Sequence, residues 1–276
     1  MTDPAEQPAW TILEMEVTAE SAEIVSDALW GLGVAAVEEI ETAGGAVVLR
    51  ANVSPESGEA VAELARLHKS TVRWVTVPVS VADTWREHAS PTHVIDDVWL
   101  VPAWVEAPAG RSVRVEPFDV FGLGNHPTTV LALAAALDVV QRGHRVLDMG
   151  CGSGVLAVAL SSLTGCVCDC HDIAPQARTA VEHNAALNGV AHAVSWRGPL
   201  EPGESARYDV VVANILAPVL CDLAQEIVAV TAPGGSIVLS GLREEQSERV
   251  ADAHEGCVVV SRRTDDGWVS LTLRRM

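Results

Sequence analysis

The run VLDMGCGSG at 146–154 joins a short apolar strand, an acid, Asp148, and three glycines at alternate positions, Gly150, Gly152 and Gly154, before a helix opens. Glycines so spaced let the backbone turn tightly and let a ligand approach with no Cβ in the way, while a helix start offers unpaired N–H groups. A second acid, Asp172, ends the next apolar strand about twenty residues further on, where a carboxylate can accept both hydroxyls of a ribose. Asn214 closes a third apolar run, in the stretch ANILAP. Ligands of open α/β sheets sit beyond the carboxyl ends of the strands, so Gly150, Asp172 and Asn214 converge on one crevice. Such a constellation holds a nucleoside-like ligand on the loop and a second reactant at the amide.

Glycine spacing narrows the ligand. A dinucleotide loop reads G-x-G-x-x-G, whereas this one reads G-x-G-x-G. In that form it resembles the loop of the class I methyltransferases, which bind S-adenosylmethionine.

The elements around these residues fall into two groups. The first is strand, helix, strand, strand, helix, strand: 10–17 alternates, a helix from Ser21 to Leu32 stops at Gly33, a Gly44-Gly45 turn joins two strands, a helix covers 57–69 and a strand covers 71–79. This βαββαβ order predicts a small ferredoxin-like α+β domain over 1–82. Residues 83–116 hold prolines, Trp99, Trp104 and short apolar pieces such as VWLVPAW, and are expected to be a linker with brief strands. From about residue 127 strands and helices alternate, with one helix expected over 218–230, and the chain closes with strands at 257–262 and 268–274 around a TDDG turn. Alternation means a parallel sheet covered on both faces, and the hairpin makes its last strand antiparallel. The fold class expected is therefore α/β, a seven-stranded Rossmann-like domain over 117–276 behind the smaller one.

Bulk properties exclude several function classes. Within the 276 residues no apolar run is long enough to span a membrane, and the start MTDPAEQPAW has no signal-peptide core, so a cytoplasmic location is expected. A net charge of -19 and a pI near 4.7 speak against nucleic-acid binding and suit a basic partner. Cys166, Cys168 and Cys170 project from one face of one strand, a poor frame for tetrahedral metal, so no metal site is expected.

The resemblance becomes close in VEPFDVFGLGNHPTT (115–129), VLDMGCGSG, NAALNGV (184–190), DVVVANILAPVL (209–220) and APGGSIVLSGL (232–242), which stand in the order and at about the spacing found in the ribosomal protein L-eleven methyltransferases, the PrmA family. It extends forward through DALWGLGVAAVEEIE and DTWREHASPTHVIDDVWLVPAW. The resemblance implies a front domain that grips a basic ribosomal protein of the large-subunit stalk base, a flexible linker, and a domain that methylates N-terminal and lysine amines with S-adenosylmethionine. It implies Gly150, Gly152 and Gly154 under the methionine end of the cofactor, Asp172 at its ribose, Ile173 on its adenine, and a closing loop of Phe121, Gly122, Gly124, His126, Thr128 and Thr129. Asn214 is the expected catalytic residue, also touching the cofactor, and Asp148 counts with the cofactor site. The long linker points to a monomer whose front domain moves.

Leu123 departs from the family, which has Thr there, and His171 and Asp169 are unexpected in an apolar strand. Two other readings stand beside the first: a related protein-lysine methyltransferase with another protein substrate, and a cofactor-binding interaction protein without catalysis.

Overall fold

The computed structural model describes residues 9–276 apart from 31, 33, 35–36, 43, 52, 54–56, 79–85, 87–88, 119–121 and 201–207. The chain divides into two compact units, Met1–Ala89 and Ser90–Met276.

In the first unit, strands β1 (Ala9–Thr18), β2 (Val37–Glu41), β3 (Ala46–Ala51) and β4 (Thr71–Pro78) form one antiparallel sheet in the order β2-β3-β1-β4, with helices α1 (Ala19–Trp30) and α2 (Gly58–His68) between them in sequence. Alternation in β1 sends Leu13, Met15 and Val17 into a core with Val25 and Leu29 of α1 and Val61 of α2. Glu14 therefore projects from the opposite face, where Arg50 and Arg73 grip one carboxylate oxygen each.

The second unit opens with β5 (Thr92–Ile95), β6 (Val98–Pro102) and β7 (Arg111–Val115), a three-stranded sheet. The rest alternates: α3 (Pro127–Val139), β8 (Arg145–Met149), α4 (Val155–Thr164), β9 (Val167–His171), α5 (Ala177–Leu187), β10 (Val194–Gly198), β11 (Tyr208–Asn214), α6 (Ala217–Asp222), α7 (Ala224–Val230), β12 (Thr231–Arg243), a 3-10 turn (Glu244–Gln246), α8 (Ser247–Ala253), β13 (Cys257–Asp265) and β14 (Trp268–Arg275). Its main sheet runs β10-β9-β8-β11-β12-β14-β13, parallel except for β14, which is antiparallel to both neighbours. One face buries Cys166, Cys168 and Cys170 with Val146 and Val212 under α3 and α4, and the other buries Leu147, Val211 and Ile237 under α6 and α7. Among the described residues no helix is long and apolar enough to cross a membrane.

Two expectations need correction. The helix expected over 218–230 is two short helices that meet at Leu223, whose φ of -93° and ψ of 6° leave the helical region. The supposed linker over 83–116 does not behave as one from Thr92 onward, because Leu100, Val113 and Val115 belong to the core beneath α3 and α4. Its strands are only four or five residues long, too short to show a period, although Val113 and Val115 of β7 are buried.

Two asparagines fasten this small sheet. Asn188 accepts from the Arg114 N–H at 2.8 Å and donates to the Arg114 carbonyl at 2.7 Å, and Asn184, one turn earlier, does the same for Glu116 at 2.8 Å in both directions. The side chains of α5 thus stand in for a strand at the free edge of β7. Leu100, fully buried with Cδ1 against Gly124, is the residue that separates packed sheet from linker. Leu100→Ala is expected to lower unfolding free energy by about 3 kcal/mol in urea denaturation; a loss near zero would restore the linker reading.

Candidate active site

The crevice is built from strand ends. β8 runs into the glycine loop, and the end of β9 holds that loop: the His171 carbonyl accepts the N–H of Gly150 at 2.8 Å and of Cys151 at 3.2 Å. Asp172 then accepts the Gly152 N–H on Oδ2 and the Ala174 N–H on Oδ1, both at 2.9 Å. The N–H groups of Gly150, Cys151 and Gly152 are therefore engaged within the protein, and the Gly154 N–H bonds the Cys151 carbonyl. What the loop presents is shape, together with the remaining lone pairs of Asp172.

Only glycine serves at Gly150: φ is +68°, and a Cβ there would stand 2.3 Å from Cγ2 of Ile215, the residue after Asn214. Gly154 answers to packing, since a Cβ would press on Val181 of α5 at 2.9 Å.

Asp148 lies beneath the loop, buried, and accepts the Ala157 N–H of α4 at 3.0 Å. Burial pushes its carboxyl up to about 7; the Ala157 N–H opposes that shift and the charge of Asp172 adds to it. It holds the start of α4 and also lines the crevice.

Asn214, the last residue of β11, donates through Nδ2 to Thr129 Oγ1 at 3.3 Å. With one amide hydrogen so placed, its oxygen keeps full acceptor capacity. Asn214, Thr129, Gly122, Asp148, Gly150 and Cys151 surround a space of about 10 Å³. That is about the room of one water molecule; a ligand body would lie along Asp172 and Ile173, an isoleucine left 89% exposed.

At the start of α3 the wall is Thr129 rather than Thr128. Thr128 is buried, with its hydroxyl 2.7 Å from His126 Nδ1 and its carbonyl accepting from Ser240 Oγ at 2.9 Å. His126 caps the helix by accepting the Thr128 N–H, and its imidazole meets the ring of Trp268 edge-on at 5.0 Å. Gly122 is in the wall, whereas Phe121 lies outside the described residues. Sequence reasoning passed over Ser153 and Asn184. Ser153 is buried and donates to the Gly122 carbonyl at 2.5 Å, and its own carbonyl accepts from Asn184 Nδ2 at 2.9 Å. The Asn-x-x-x-Asn spacing of NAALN, which sets two amides on one helix face, is the only local sign of this network.

The two oddities of β9 have different outcomes. Asp169 is buried and satisfied by Arg197 at 2.8 Å and the Tyr208 hydroxyl at 3.1 Å. His171 is buried with no hydrogen-bond partner on Nδ1 among the described residues, which nothing in the structure explains.

An open sheet reversed at β14, with the glycine loop after β8 and an acid after β9, defines a class I methyltransferase-like α/β fold. The crystal structure of a ribosomal protein L11 methylase from Lactobacillus delbrueckii subsp. bulgaricus superposes with a TM-score of 0.61 at 28% identity, covering 68% of this chain and 98% of that one. Residues 79–276 match the family model for ribosomal protein L11 methyltransferase (PrmA), and the chain belongs to that family. The ribosomal protein L11 methyltransferase of Chromohalobacter salexigens is 40% identical over 192 residues, 68% of this chain and 64% of that protein. The chain thus aligns with less than two thirds of that relative's length. The protein of the same name from Thiobacillus denitrificans is 34% identical over 296 residues, 95% of this chain and 98% of its own.

The buried acid gives a pH test. The folded Asp148 carboxyl keeps its proton up to about 7 against an ordinary 3.8, so its contribution to stability is whole below the lower value and is lost as pH rises through the upper one. Relative to Asp148→Asn, the unaltered protein is expected to lose stability between about pH 4 and 7, by at most about 1.4 kcal/mol per pH unit. Urea midpoints whose difference stays constant across that range would contradict the assignment.

Proposed function

We propose that this chain transfers methyl groups from S-adenosylmethionine to the N-terminal and lysine amines of ribosomal protein L11. The observation that carries the reading is the meeting of the glycine loop and Asn214 around one narrow crevice, with Asp172 at the neighbouring strand end, in a chain of this family.

The residues present fit the methyl donor. Asp172 has lone pairs left for ribose hydroxyls, the exposed Ile173 is an apolar surface for a base, and Gly150 and Asn214 line one crevice beside them. When bound, the donor supplies a methyl carbon on a positively charged sulfur. The chain's part is to hold an amine in line with that carbon, and positioning alone is worth much of the rate of a displacement. The amine must arrive neutral, although its ordinary pKa is about 10.4 for lysine and about 7.7 to 8.0 for an α-amine. A closed, desolvated crevice favours the uncharged form. The Asn214 oxygen accepts an amine N–H there and aims the lone pair, while Thr129 fixes which way the amide faces.

The rest of the chain supports a basic protein as acceptor. The net charge of -19 attracts such a partner and repels nucleic acid. The β2-β3-β1-β4 order supports reading Met1–Ala89 as a ferredoxin-like domain, which we assign to substrate recognition. In this reading the protein works in the cytoplasm as a monomer.

Intact-mass analysis of purified L11 after incubation with the chain and S-adenosylmethionine is expected to give a ladder of methyl increments. No increment, with calorimetry showing that the donor binds, would favour another protein substrate or a binder without catalysis, for which Leu123 in place of the family's Thr is the motive. Asn214→Ala is expected to lower turnover at least about a hundredfold while leaving donor binding measurable; unchanged turnover would remove Asn214 from the catalytic role.

A further inference from the structure

The crevice has two walls that come from distant parts of the chain: the glycine loop, through Gly150 and Cys151, and Gly122. Ser153 joins them. Its hydroxyl donates to the Gly122 carbonyl at 2.5 Å, and φ of +112° at Gly122 leaves no room for a side chain, since a Cβ would stand 2.7 Å from Ser153 Oγ. Behind Ser153, Asn184 donates to the Ser153 carbonyl at 2.9 Å and to the Glu116 carbonyl at 2.8 Å, and accepts the Glu116 N–H at 2.8 Å. Asn188 repeats the grip at Arg114 and donates to the Asn184 carbonyl at 2.8 Å. Residues 114, 116 and 122 are thus tied to the glycine loop and α5 by one continuous set of hydrogen bonds. Ser153 and Asn184 are both fully buried, so neither is available to touch a ligand directly.

We propose that Ser153, backed by Asn184, is a positioning residue for the methyl donor, locking Arg114, Glu116 and Gly122 to the glycine loop so that the Gly122 wall and the loop wall of the crevice move as one body. The inference rests on the donor-binding part of the proposed function. Coupling of this kind is reciprocal: if the fastening sets the donor's affinity, then the bound donor must tighten the fastening. Arg114 and Glu116 report it directly, because their amide hydrogens are donated to the side chains of Asn188 and Asn184.

The test is calorimetric titration of the full chain with S-adenosylmethionine and S-adenosylhomocysteine, together with hydrogen exchange of the 114–122 segment. Ser153→Ala is expected to raise the dissociation constant about tenfold, the value of one lost hydrogen bond, and to abolish the donor-dependent slowing of exchange at Arg114 and Glu116. Ser153→Thr, which keeps the hydroxyl, is expected to restore both. Asn184→Asp, which keeps the acceptor and loses the two donors, is expected to behave like Ser153→Ala and decides the matter if that variant fails to fold. A folded Ser153→Ala or Asn184→Asp protein with unchanged affinity and unchanged donor-dependent protection would overturn the proposal while leaving the proposed function intact. Failure of the unaltered chain to bind either ligand would overturn both.

Discussion

The second unit depends on the grip that the end of β9 keeps on the glycine loop. A single carbonyl, that of His171, receives two successive N–H groups, and the next carboxylate, Asp172, receives a third. The loop is thereby tied to β9 although it continues β8. Three glycines with positive φ make that path possible. The grip engages the N–H groups of Gly150, Cys151 and Gly152, so at those three positions the loop offers shape, and Asp172 offers carboxylate oxygens beside it.

The same grip explains the two acids. Asp172 is held by two N–H groups just beyond the end of β9. Asp148, one strand over and buried, would put a second negative charge below it, and burial with that repulsion keeps its proton on to about pH 7. Through the Ala157 N–H, Asp148 holds the start of α4.

Periodicity and turn chemistry carried most of the architecture. The alternation from residue 127 onward, the Gly44-Gly45 turn and the closing hairpin are local signals, and each corresponds to an element of the structure. The glycine loop, Asp172 and Asn214 were legible because their positions at strand ends follow from the fold. What sequence left hidden is long-range. Ser153 meets Gly122 across 31 residues and Asn184 meets Glu116 across 68, so no window contains both partners. The three-stranded sheet at 92–115 went unrecognised because its burial comes from α3 and α4, not from its own pattern. At the start of α3 two adjacent threonines were indistinguishable by type, and helix geometry alone turns Thr129 to the crevice and Thr128 to His126.

Membership of the PrmA family and the geometry of the crevice meet in one claim, that a methyl donor lies along the glycine loop with its ribose at Asp172 and its reactive end beside Asn214. A crystal structure of the chain grown with S-adenosylhomocysteine tests it most directly. The account predicts density with ribose hydroxyls on the Asp172 carboxylate, the base on Ile173 and the sulfur facing the space between Gly150 and Asn214. Density elsewhere on the protein, or a ligand that leaves Asp172 untouched, would contradict it.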